Sequence, residues 1–159
     1  REAGGDCRVE RQFRKAGRTP GGIVSILSIV GRWRQVTPQL QGVLRMVAAF
    51  SFMQPGTMKL FGFPMPMPGG MKLAILSQVG IGGILEVFGG ALIFVGLFIR
   101  PVAFILAGEM AVAYFQFHAR NGFWTLTNGG TDAVIFCFIW LFFSAAGAGA
   151  WSLDARRKA

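Results

Sequence analysis

The sequence predicts an all-α integral membrane protein, a four-helix bundle with both termini cytoplasmic. Three observations predict it. The 159 residues are 53% hydrophobic and only 14% charged, where a soluble domain carries about 25% charge. Four apolar runs follow one another, each near the roughly 20 residues that a helix needs to cross a bilayer. The basic residues are bunched at the ends: eight of sixteen Lys and Arg lie in residues 1–34, and three lie in the last five.

Residues 1–36 read as a basic, disordered N-terminal extension, polar and Arg-rich over its first 20 positions. The stretch "GGIVSILSIVG" within it is too short to span. It is followed by "RWRQVTPQ", not by the small-residue cleavage site of a signal peptide. The transmembrane domain reads as residues 37–150. Its first span is 37–54, stopping before "PGTMK". The second is 73–99. The third is 101–118, opening on Pro101 where a missing N–H does no harm. The fourth is 131–146, ending in "GAGAW". The Arg100–Pro101 step reads as a tight turn between the second and third spans. Residues 151–159 form a basic tail.

Four spans put both termini on one side, together with the Arg100 turn. That side holds twelve Lys and Arg; the opposite side holds three, Lys59, Lys72 and Arg120. The positive-inside rule therefore places the termini in the cytoplasm of a multi-pass protein. The two longer connections then face outward. "FPMPMPGG" has three alternating prolines that favour extended backbone, and "GFWTLTNGG" carries Phe123 and Trp124, aromatics of the kind that settle at a membrane interface.

The net charge of +9 sits in tails beside apolar runs, where it sets topology rather than binding nucleic acid. Cys7 and Cys137 lie in unlike regions and imply no disulfide framework. No CxxC, Cys/His cluster, P-loop, GxGxxG, HExxH or nucleophile elbow appears. Metal sites, nucleotide sites and self-contained soluble-type enzymes therefore have no motif here.

The informative residues are the polar ones inside the spans. Glu86 is the midpoint of the second run. Gly82 lies four residues before it and Gly89 three after, so Glu86 shares a glycine-bearing helical face. Small residues line helix contacts in membranes, so Glu86 is expected to face its neighbours and not lipid. A charge at that depth costs about 2.5–3.5 kcal/mol and calls for a partner. Arg45 is the natural candidate, with Glu109 at similar depth in the third span. Arg45, Glu86 and Glu109 thus read as a buried polar centre, either an ion-pair clamp that fixes packing or a proton or ligand site. Ala103, Ala107, Ala111, Tyr114 and His118 share a second face of the third span. Tyr114 and His118, with Trp124 and Lys59, are candidate contacts for a planar polar head such as a quinone. The plain alternatives are packing for the Tyr/His pair, interfacial anchoring for Trp124, and snorkelling for Lys59.

"LRMVAAFSFMQPGTMKLFGFP", "LEVFGGALIFVGLFIRPVAFILAGEMAVAYFQFHARNGFWTLTNGG" and "FIWLFFSAAGAGAWSLDA" together resemble the DoxX family of small bacterial and archaeal membrane proteins, over about residues 39–155. The resemblance implies four transmembrane helices. It also implies association with quinone-linked oxidoreductases, some of them thiosulfate:quinone oxidoreductases, and with superoxide-detoxifying and sulfurtransferase partners. The family's recurrent charged positions match Arg45, Lys59, Glu86, Arg100 and His118, and its glycines match Gly56, Gly89 and Gly90. The sequence departs from the family at "NGGTD", where Thr131 stands in place of the usual Glu and Asp132 follows.

The expectation is then a subunit of a quinone-linked oxidoreductase, or of a redox or sulfur-metabolism complex, in a bacterial or archaeal cytoplasmic membrane. It would not act as an enzyme alone. Quinone would be its cofactor, lipid its surroundings, and a soluble redox or sulfurtransferase protein its partner; self-association is left open. The alternatives are a structural or assembly protein without catalysis, and a small proton-coupled transporter using Glu86.

Overall fold

The computed structural model describes residues 21–67 and 74–157. The expected disorder of residues 1–20, Lys72, and the start of the second span at residue 73 lie outside the described residues. The described residues are helical and contain no strand. The chain divides into two compact units, Arg1–Thr37 and Pro38–Ala159. In the first unit the chain is helical from Gly21, so residues 21–36 are not the unstructured extension expected. Near its end the Thr37 hydroxyl donates to the Trp33 carbonyl at 2.8 Å.

The second unit is built on α1 (Gly21–Phe61, here its residues 38–61), α2 (Gln78–Val95), α3 (Ile99–Asn121), α4 (Thr125–Asn128), α5 (Thr131–Ala146) and α6 (Leu153–Arg156). The first difference from expectation is in α1, which passes through Pro55 and ends seven residues beyond Gln54. A proline removes one ladder hydrogen bond. Here the Thr57 hydroxyl donates to the Gln54 carbonyl at 2.9 Å, and Gly56 is packed directly on α2. The helix stops only at Gly62, whose φ of 67° is left-handed and whose N–H returns to the Met58 carbonyl at 3.0 Å.

α2 begins at a Ser77 cap, whose hydroxyl accepts from the Gly80 N–H at 3.1 Å. Its middle, Leu85–Gly89, is a π-helical turn. The turn into α3 is Gly96–Phe98, earlier than the Arg100–Pro101 step expected, because Gly96 and Phe98 take positive φ of 78° and 52°. Pro101 is the third residue of α3, where an N–H has no intrahelical partner in any case. The α3 N-terminus is capped from far along the chain. The Asp154 carboxylate accepts from the Phe98 and Ile99 N–H groups at 3.0 and 2.9 Å. α3 ends in a second π turn, Tyr114–His118, and a short 3₁₀ segment.

The core draws from four helices. Ala48, Ala49 and Phe52 of α1 meet Ile93 of α2, Ala103, Leu106 and Ala107 of α3, and Trp140 and Phe143 of α5. α3 packs extensively on α5, with Ala103, Ala107 and Ala133 buried there. Phe52 meets Trp140 edge-on at 5.1 Å between ring centroids. The outside is also apolar: Val47, Phe50, Phe88, Phe104, Phe115, Ile135 and Phe138 are all exposed. A water-facing surface rarely carries so continuous a set. α2 and α3 are each long and apolar enough to cross a membrane; α5 is apolar and shorter.

Candidate functional site

The polar residues that the sequence gathers into one centre fall into two places. Lys59 follows Arg45 by fourteen residues on α1, roughly 21 Å along the axis, and the two mark opposite ends of the arrangement.

At the Arg45 end the guanidinium is fully buried. Arg45 does not pair with Glu86. Its Nε donates to the Ala148 carbonyl at 3.0 Å, one Nη to Ile93 at 2.7 Å and to Phe94, and the other Nη to Trp151 at 2.9 Å. The physical reason is geometric. α2 ends at Val95 and α5 at Ala146, so the C-terminal carbonyls of one and the chain following the other converge on α1 just where Arg45 lies. A fork of five donors suits that set of acceptors. Gln41 extends it by donating to the Gly147 carbonyl at 2.8 Å.

At the other end Lys59 is the partner of Glu86. Its Nζ lies 2.6 and 2.7 Å from the two carboxylate oxygens. Glu86 is 3% exposed and Lys59 21%. Their meeting follows from the continuation of α1 past Pro55 and from Gly56. A Cβ on Gly56 would come 2.8 Å from Glu86 Cβ and from Val87 Cγ2, so glycine lets the two backbones approach. The sequence reading missed this pairing because it ended the first span at Gln54.

Glu86 and Lys59 border a cavity of about 270 Å³ between α1, α2 and α3, lined also by Gln78, Glu109, Phe117 and His118. Most of its wall is apolar, from Val79, Met110, Val112 and Ala113. Glu109 Oε2 is buried and has no hydrogen-bond partner, while Oε1 faces the space above Gly82. Gln78 is tied across the rim to Gln116 by a side-chain hydrogen bond. His118 is positioned by the second π turn and by Asn128, whose backbone carbonyl lies 3.1 Å from Nδ1. Asn128 is fixed in turn: its amide donates to the Gly122 carbonyl and its side-chain oxygen accepts from the Gly130 N–H, both at 2.8 Å. π turns are frequent at functional sites, and here one carries Glu86 and the other His118.

Of the other candidates, Tyr114 stacks near His118, with ring centroids 6.5 Å apart, and donates to the Phe123 carbonyl at 3.3 Å; it does not line the cavity. The Tyr114 ring and His118 Cβ both pack on Gly130, where an added Cβ would come 2.8 Å from each. Trp124 is 72% exposed and packs edge-on against Phe123, away from the cavity lining. The structure therefore joins Lys59, Glu86, Glu109 and His118, and leaves Arg45, Tyr114 and Trp124 outside that group.

The sequence profile of the DoxX family matches residues 40–119. This chain belongs to the DoxX family. An uncharacterized protein of Haemophilus influenzae is 39% identical to it over 120 residues, which is 74% of this chain and 90% of that one. No solved structure matches the chain. DoxX is a family of membrane proteins. Its match takes in all four cavity-lining polar groups just named and Arg45, and ends before Trp124 and Asn128.

Proposed function

We propose that this DoxX-family chain is a four-helix, multi-pass protein of the bacterial cytoplasmic membrane, with both termini inside. In this reading it is the membrane subunit of a quinone-linked redox system. One observation carries the proposal. A protein whose outer surface is apolar encloses a pocket holding a lysine, two carboxyl groups and a histidine. Intramembrane ionisable groups of this kind mark ligand or proton sites by default, and an apolar pocket with a few convergent polar groups is the usual form of a small-molecule site.

The residues present fit a quinone head. Phe117, Val79 and Met110 offer apolar walls to a ring, and Glu109 keeps one oxygen unpartnered. The volume, about 270 Å³, suits a single ring and not a dinucleotide. When bound, a quinone would supply two-electron, two-proton chemistry. The chain's own part is to bind and orient. Lys59 has one N–H beyond the two that Glu86 accepts, Glu86 holds Lys59 in place, and Glu109 and His118 offer further polar contacts. Electrons would come from a partner, a soluble redox or sulfurtransferase protein. The Arg45 end serves a different purpose in this reading: its carbonyl contacts favour a structural clamp.

The test is extraction of lipid and quinone from the purified protein, wild type against Glu86→Gln. Wild type is expected to retain quinone and the variant to lose most of it. A wild-type protein without quinone, under conditions where a known quinone protein keeps its own, would sink the reading.

A further inference from the structure

We infer that the Arg45 end of the second unit carries a docking site for the phosphate headgroup of an anionic membrane lipid. Arg100 and Arg157 form it across the start of α3, with Arg156 adjoining. The inference is independent of what the cavity at the Lys59 end holds.

The segment after α5 builds the site. The Ala150 N–H donates to the Pro38 carbonyl at 2.8 Å, and the Asp154 N–H donates to the Gly96 carbonyl at 2.9 Å. Ser152, between them, is buried and packs on Gly96. α6 is thereby held against the start of α3, and two cations meet there. The Arg157 guanidinium carbon lies 5.3 Å from the centre of the Phe98 ring. Arg100, two residues beyond Phe98, reaches toward the end of α5: its Nε and one Nη lie 3.7 Å from where a Cβ on Gly147 would sit. Arg100, Arg156 and Arg157 are all exposed.

These charges lack an acidic counterpart. Asp154 is the carboxylate at this end of the unit, and its two oxygens are taken by the Phe98 and Ile99 N–H groups. Asp132 opens α5, a helix length away. Among the described residues the ion pair is Lys59–Glu86, so no carboxylate matches the three arginines. Around them Phe98, Trp151 and Leu153 are exposed. α3 is long and apolar enough to cross a membrane, so its first turn lies at the depth of lipid phosphates. A guanidinium holds a phosphate through paired N–H groups, and basic pockets between membrane helices take anionic headgroups. A phospholipid answers both features at once: its phosphate meets the arginines and its acyl chains cover the apolar side chains. A soluble acidic protein would answer only the first.

The test uses the full chain, delipidated in detergent, and counts bound lipid by native mass spectrometry. The probes are dioleoyl phosphatidylglycerol, dioleoyl phosphatidylcholine and, as competitor, inorganic phosphate. Wild type is expected to prefer phosphatidylglycerol about tenfold. Inorganic phosphate at the lipid's concentration should not displace it, because it brings no chain to Phe98 and Trp151. The double variant Arg100→Gln/Arg157→Gln should fall to within about twofold of no preference. Arg120→Gln, which removes a like charge at the far end of α3, should keep the preference. Arg100→Lys/Arg157→Lys retains the charges without the planar fork; it should lose part of the preference, and it decides the matter if the Gln pair does not fold. Equal binding of the two lipids by wild type overturns the inference, as does an unchanged preference in either double variant. Displacement by inorganic phosphate shows a free-anion site and overturns the lipid assignment.

Discussion

Lys59 Nζ sits 2.6 and 2.7 Å from the two oxygens of Glu86, so a single ammonium closes both ends of one carboxylate. The contact joins the last turn of α1 to the π turn of α2. It accounts for a carboxylate in the middle of an apolar helix without calling on the deeper arginine.

Breaking this pair from one side strands a charge. Lys59→Met is expected to destabilise the protein by about 3 kcal/mol, the lower end for a buried pair, since Lys59 is partly exposed. The double variant Lys59→Met/Glu86→Gln should recover much of that loss. Thermal unfolding in detergent for the two singles and the double measures the coupling. Strict additivity would show that the pair contributes nothing.

Arg45→Lys separates the two ends of the molecule. Lysine has three donors against five and no planar fork, so several of the carbonyls now served by Arg45 lose their partner. The expected cost is about 2–4 kcal/mol, seen as a lower melting temperature and faster proteolysis after residue 146. Quinone content per folded protein should not change. A selective loss of quinone would place Arg45 in the ligand site after all.

Gly56→Ala tests the close approach. The new Cβ would lie 2.8 Å from Glu86 Cβ and 3.0 Å from the Gly83 carbonyl oxygen, and backbone must give way. A cost of about 1–3 kcal/mol is expected from overpacking, together with weaker ligand binding as Lys59 and Glu86 are moved apart. Gly108→Ala is the control, because a Cβ there meets nothing within 4 Å.

Topology has its own check. With Cys7 and Cys137 replaced by serine, a cysteine at position 124 should react with an impermeant maleimide added to intact cells. One at position 155 should react only after permeabilisation. The reverse pattern would turn the protein over and void the both-termini-inside reading.

The helical fold was legible because it is written in side chains. The apolar run at residues 131–146 coincides with α5, and the glycine and alanine spacings point to faces that are buried, at Glu86 and Gly89 on α2 and at Ala103 and Ala107 on α3. The pairing within the site was less legible, for two reasons. Pro55–Gly56 reads locally as a stop, yet packing against α2 carries α1 through it, and Lys59 reaches Glu86 only because it does. The true partners of Arg45 are backbone carbonyls 48 to 106 residues away, and a carbonyl has no letter in the sequence. Asp154 as the cap of α3 escaped for the same reason: its acceptor role depends on a turn 55 residues distant.

The π turn at Leu85–Gly89 makes α2 sensitive to length as well as to residue identity. A π ring encloses one residue more than an α ring. Glu86 and Gly90 now face the same neighbour, α1, through Lys59 and Met53. Deleting a single residue within the π turn would let it close into regular α-helix with both flanks still facing their present neighbours. A deletion elsewhere in α2 has no such slack, and a one-residue shift there swings the following face by about 100°.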